Sequence, residues 1–242
     1  PTKNYTPAES TAVESFIKRG GKVVILDDYG TSSDLLSDMG APIVLRQVPL
    51  CQDMDFYKKQ SFPIIKNIVP GGETRNVSAL TLNHPVPLSV SGDAQVLAST
   101  SAMGWIDDGG GDPDTAYADD SRLDGNERFG TYPVIARWND SDGELLVVGD
   151  ADVFANSVLD RTDNRVFMND VLTGVVWIDA SHGMNITPLG AVYFTLRDNL
   201  VAQLLVVLAV ALCAYLIIRR RALPGLIKKY TGNGRDSKGK SG

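Results

Sequence analysis

The alternation of apolar and polar positions divides the chain into short elements followed by one long apolar run. Ala12, Val13, Phe16 and Ile17 recur at helical spacing after Thr6-Pro7-Ala8-Glu9. Thr6 suits an N-cap, Pro7 the first helical position and Glu9 the third, so a helix starts here and stops at Gly20-Gly21. Residues 22–26 (KVVIL) form an apolar run of the kind that builds a buried parallel strand. It ends in Asp27-Asp28-Tyr29-Gly30. Ser33 is expected to cap a short helix over 34–39, closed by Gly40, with another strand over 42–45. Residues 63–68, 77–82 and 95–99 are short apolar pieces between Pro and Gly, which predicts short strands and long turns.

Further on, residues 132–138 and 144–148 read as paired strands across the turn Asn139-Asp140-Ser141-Asp142-Gly143. The second strand ends in Gly149-Asp150-Ala151-Asp152, and a helix is expected over 153–159. Asp163 is expected to cap a longer helix reaching about Val176, with Val166, Phe167, Val171, Leu172 and Val175 on its apolar face. Residues 200–218 (LVAQLLVVLAVALCAYLII) carry no charge and a single amide, Gln203. At about 1.5 Å per residue such a run spans roughly the hydrocarbon thickness of a bilayer, and we expect a transmembrane helix over 199–218. The domain plan is an α/β domain over 1–185, a connector over 186–198, the membrane helix, and a basic tail over 219–242.

Charge sharpens this plan. Residues 219–242 hold eight Lys/Arg and one Asp, whereas the rest of the chain holds 15 basic and 28 acidic residues. By the positive-inside tendency the tail is cytoplasmic and the main domain extracytoplasmic, at the cell membrane. The tail is then expected to meet membrane lipid headgroups, and an acidic outer domain excludes nucleic acid as a partner. Four N-x-[ST] sequons, at Asn4, Asn76, Asn139 and Asn185, fall on the proposed outer side as glycosylation candidates. Cys51 lies in the domain and Cys213 in the apolar run, so no intrachain disulfide is expected. The chain opens on Pro1-Thr2-Lys3 without a signal peptide, and we expect a first membrane helix and a strand to precede it.

Two groups of acids are the sharpest chemical candidates. If the strands over 22–26 and 144–148 are parallel neighbours, Asp27, Asp28, Asp150 and Asp152 gather at one sheet edge. Four carboxylates there are ligands suited to Mg or Ca; the alternative is that they bond loop amides and cap helices. The loop over 101–130 adds Asp107, Asp108, Asp112 and Asp114, a candidate calcium loop, although no EF-hand or GGxGxD spacing fits it. His84 and His182 form no zinc pattern, and no G-x-S-x-G elbow accompanies Ser181-His182. Gly71-Gly72-Glu73-Thr74 is acidic where a phosphate loop needs Lys. Trp105, Trp138 and Trp177 are expected to pack in the core or at interfaces.

The helix ending in Gly-Gly, the strand ending in Asp-Asp-Tyr-Gly and the run GELLVVGDADVFAN together resemble the archaeal and bacterial DUF4350 family. Residues 162–167 and 177–182 are similar to family features as well. The resemblance covers residues 5–185 and extends to the outer domains of gliding-motility and ABC-transport accessory proteins. It implies a flavodoxin-like, three-layer fold of the class I glutamine amidotransferase-like type, membrane-anchored, here lacking its first strand. Catalytic amidotransferases present a nucleophilic Cys in a Gly-x-Cys-x-Gly elbow after the corresponding strand; Leu26-Asp27-Asp28-Tyr29-Gly30 stands there instead. The expectation is therefore a non-catalytic binding or scaffold domain with no obligatory cofactor. A membrane protein is the expected partner, within a transport or envelope-assembly system. A metal-dependent hydrolase using the strand-end aspartates and a structural cell-surface component are the alternatives.

Overall fold

The computed structural model describes residues 3–107, 123, 127–179 and 181–182 of a first unit, Pro1–Met184. Of a second unit, Asn185–Gly242, it describes residues 201, 203–208, 210–212 and 215–216, all helical. Asp108, Asp112, Asp114, Asn185, the connector over 186–198 and the tail over 219–242 lie outside the described residues.

The first unit opens with helix α1 (Pro7–Lys18). Thr6 caps it: its hydroxyl accepts from the Glu9 N–H, and the Glu9 carboxylate accepts from the Thr6 N–H at 2.8 Å. This satisfies amide donors that the helix cannot use internally. After Gly20, whose φ of 88° suits only glycine without strain, comes β1 (Lys22–Leu26). Then follow α2 (Ser33–Asp38), β2 (Ile43–Leu45), β3 (Leu50–Gln52), β4 (Ile64–Ile65) and β5 (Asn67–Ile68). A 3-10 turn (Gly72–Thr74) leads to β6 (Leu80–Thr81), β7 (Leu88–Val90), β8 (Gln95–Ser99) and β9 (Gly104–Ile106). The unit closes with β10 (Pro133–Asp140), β11 (Gly143–Val148) and α3 (Asn164–Val171).

Five strands form the main sheet in the order β1-β11-β10-β8-β5. Its core lies on both faces, and β11 shows how. Leu145 and Val147 join the cluster under α1 and α2, with Ile17, Leu35 and Leu36. Leu146 and Val148, one step along, join the opposite cluster, with Phe167 and Val171 of α3. This is the two-residue alternation of a strand buried on both sides. β10 departs from it: Val134 and Ile135 both enter the α3 cluster, because the β10–β8 register shifts between Pro133 and Ala136.

The expected flavodoxin-like parallel sheet is corrected. β1 and β11 are parallel, but β11–β10, β10–β8 and β8–β5 are antiparallel, giving a mixed α/β unit. The reason is local. Ser141 and Asp142 alone separate β10 from β11, and so short a connection joins only antiparallel neighbours; parallel pairing needs a long crossover. The remaining strands pair as β2-β7, β3-β9 and β4-β6.

The expected membrane span over 199–218 is corrected too. Among the described residues no helix is long and apolar enough to cross a membrane, which takes about 20 apolar residues. Smaller corrections concern the region after β11. Residues 153–159 form successive turns, with Val158 N–H donating to Ala155 O at 3.0 Å, in place of the expected helix. α3 stops at Val171, and Val175 is exposed. Trp105 is buried, Trp138 packs on the α1–α2 cluster, and Trp177 is 91% exposed, outside the core.

Candidate functional site

The β1–β11 register sets Leu26 beside Val148, so Asp27-Asp28 and Gly149-Asp150 leave the sheet side by side at the carboxyl ends of parallel strands. Gly149 is required there by close approach: a Cβ at this position would lie 2.2 Å from Val86 O. Val86 N–H in turn donates to Gly149 O at 2.7 Å, which draws residues 83–86 against the strand end.

Asp27, fully buried, accepts three main-chain N–H groups: Tyr29 at 2.8 Å, Gly30 at 2.9 Å and Ser32 at 2.7 Å. Its carboxylate thus folds the loop between β1 and α2. Asp150, also fully buried, accepts from the N–H groups of Asn83 and Asp152, both at 2.7 Å. Burial outweighs those two donors and pushes its carboxyl up to about 8, with the Asp152 and Asp28 charges adding to the rise. Asp152 accepts from the Asn83 side-chain amide at 2.6 Å. Asp28 is the exception. Its Oδ1 is shielded from solvent and makes no hydrogen bond, and partial burial, with Asp152 and Asp27 nearby, raises its carboxyl above the usual range.

Sequence reasoning missed Asn83. This residue bridges Asp150 and Asp152, and its Oδ1 lies 2.7 Å from His84 Nδ1. Nothing in the local pattern singles it out, because the two aspartates it bridges lie more than sixty residues away. His84 takes a φ of 55° and meets Phe62 edge-on. Among the described residues no group of three or more His, Cys, Asp or Glu is arranged to hold a metal ion.

The other candidates fall elsewhere. Asp107 is buried at the end of β9, its N–H donating to Pro49 O at 3.0 Å. Asn4, Asn76 and Asn139 are exposed. Cys51 is buried on β3, opposite Trp105. Ser181, His182 and Asp179 do converge, but not as a hydrolytic triad. His182 Nδ1 faces both Asp179 (2.7 Å) and Ser181 Oγ (3.1 Å), and Ser181 Oγ donates to Asp179 at 2.6 Å. A triad needs the acid on one ring nitrogen and the hydroxyl on the other. His182 instead stacks on Tyr5 with ring centres 3.9 Å apart, and its Nε2 lies 3.6 Å from Glu9. The cluster clasps the end of the unit to its beginning. Partial burial raises the Asp179 carboxyl, but hydrogen bonds from Ser181 and His182 outweigh it and hold the group well below the usual range.

Residues 1–172 match the profile of a family described as "Domain of unknown function (DUF4350)". The chain belongs to the DUF4350 family. No curated protein sequence matches it. Among solved structures it is similar to the "mmIFT52 N-terminal domain", with a TM-score of 0.53 and 17% identity over 74% of this chain and 76% of that one. At that identity the likeness concerns the fold alone.

Proposed function

We propose that this DUF4350 domain is a non-catalytic binding and scaffold domain, an accessory of a transport or envelope-assembly system. The observation that carries this reading is the state of the strand-end aspartates. Asp27 is occupied by three loop amides and Asp150 by two, and Asp152 is held by Asn83. Carboxylates so committed build loops; they are not aimed together at a substrate or an ion. On this reading any kinship with glutamine amidotransferase-like domains is one of descent without the chemistry. Asp27-Asp28 stands at the nucleophile position, and Cys51 is buried on another strand. The partner is a protein, since the acidic balance of residues 1–218 repels phosphate backbones. An extracytoplasmic placement belongs to the same proposal, supported by exposed sequons at Asn4, Asn76 and Asn139.

Thermal unfolding of the full chain in EDTA, Mg²⁺ and Ca²⁺ tests it. A specific ion at about a hundred times its Kd adds about 2.7 kcal/mol, several degrees for a unit of this size. The expected result is no shift with either ion. A shift abolished by Asp28→Asn or Asp150→Asn would overturn the proposal in favour of a metal-dependent hydrolase.

A further inference from the structure

The connection between β3 and β4 folds into a tight turn. Phe56 and Pro63 form an antiparallel bridge, Tyr57 N–H donates to Phe62 O at 2.8 Å, and Phe62 N–H donates to Lys59 O at 2.9 Å. Three cations gather on the two rings of this turn. The Lys58 ammonium lies 5.0 Å from the Tyr57 ring centre. The Arg161 guanidinium, from the turns after β11, lies 4.6 Å from the same centre. Lys59 sits 5.5 Å from the Phe62 ring centre, and His84 meets that ring edge-on. The negative face of an aromatic ring holds cations in this way.

The charge of this group is uncompensated. Lys58 and Arg161 are exposed and share one ring, so they stand within about a Debye length of each other, about 10 Å at 0.1 M salt, and repel. The acids nearest in sequence are committed elsewhere, Asp55 to Lys66 at 2.6 Å and Asp160 to Arg165 at 2.7 Å. Among the described residues no carboxylate pairs with Lys58 or Arg161. The backbone here is also unusual. Among the described residues five non-glycine residues have positive φ, and Asp55, Lys58, His84 and Thr162 of these border the group. Thr162, next to Arg161, is β-branched, which makes its φ of 41° costly. Such conformations collect where a ligand is gripped.

We propose that Tyr57, Lys58, Lys59 and Arg161 form the docking surface for an acidic segment of a partner protein. This rests on the reading of the unit as a protein-binding domain and names the surface that does the binding. Charge complementarity selects the occupant. A carboxylate lying between Lys58 and Arg161 relieves their repulsion, and the planar guanidinium can grip it with two N–H donors. The occupant is also narrow. Acids outnumber bases 28 to 15 over residues 1–218, so a broad anionic surface such as a membrane meets net repulsion. An extended peptide reads only the local cations.

The test titrates the full chain with a fluorescent oligo-glutamate peptide, beside an oligo-glutamine peptide of equal length, and follows anisotropy. The wild type is expected to bind the acidic peptide alone, and less tightly as salt rises. Lys58→Glu and Arg161→Glu, with circular dichroism unchanged, should each weaken binding at least about tenfold, whereas Arg19→Glu at the end of α1 should change it less than about twofold. Amide chemical shifts of the wild type give a reading that needs no variant; on titration they should move at residues 57–62 and 161–162. Binding no tighter than to oligo-glutamine, equal weakening by all three substitutions, or shifts confined to other residues overturns the proposal. Phosphatidylserine vesicles that bind through Lys58 while the peptide does not overturn it as well, because a lipid surface is then the occupant. Any of these failures leaves the strand-end reading standing, since the ion titration tests that separately.

Discussion

Asn164 and Thr81 pair as two strands would, through one side chain. Thr81 N–H donates to Asn164 Oδ1 at 2.9 Å, and Asn164 Nδ2 donates back to Thr81 O at 2.7 Å. Nδ2 also donates to Val153 O at 2.9 Å, so this fully buried amide ties α3, β6 and the turns after β11 together. Asn164→Ala would strand three buried main-chain groups, each costing about 1–3 kcal/mol. Urea denaturation should show a loss of about 3 kcal/mol or more. A loss under about 1 kcal/mol would mean that water replaces the amide.

Asp27 and Asp28 are neighbours with opposite expected responses. Asp27→Ala leaves the N–H groups of Tyr29, Gly30 and Ser32 without their acceptor, and should lower stability by about 3 kcal/mol or more. Asp28→Asn removes a charge that its surroundings disfavour, and should leave stability equal or higher at neutral pH. Melting both variants beside the wild type checks the pair. Equal losses would contradict the distinction between Asp27, which holds three loop amides, and Asp28, whose Oδ1 has no partner.

Asp150 predicts a pH dependence with a definite sign. Its carboxyl rises from the usual range to about 8 on folding, so the folded state holds the proton more tightly than the unfolded one. Stability should therefore fall as pH rises through that interval and level off above about 8. Asp179 and Glu73 are shifted down, so their contributions are lost only at more acid pH. Denaturation midpoints between about pH 5 and about pH 8.5 should decline in the wild type and flatten in Asp150→Asn. A wild-type profile that is flat or rising there would contradict the buried, proton-holding Asp150.

Gly149 brings the Asn83 loop to the strand end. Gly149→Ala places a methyl 2.2 Å from Val86 O, against backbone rather than a flexible side-chain tip. The expected cost is about 3 kcal/mol or more, with weaker exchange protection of the Val86 amide, which donates to Gly149. A near-neutral substitution would mean that residues 83–86 are not held against β11.

Much of this architecture was legible along the chain because its signals are local. The Thr6–Glu9 capping box, the Lys22–Leu26 strand, the Gln95–Ser99 strand and the hairpin turning at Ser141-Asp142 each depend on residues a few positions apart. The same holds for the two aspartate-bearing strand ends, whose expected proximity needed only that β1 and β11 be parallel. Other residues have roles set by partners far away in sequence. Asp163 looks like an N-cap for α3, yet its carboxylate accepts from Ser78 and Ala79 N–H. Asn83 looks like a loop residue and Asn164 like the first residue of a helix, and both prove to be junctions. Strand direction across the rest of the sheet was likewise decided only in three dimensions. Apolar periodicity records which face of an element is buried, but a hydrogen bond between distant residues leaves no trace in the residues around it.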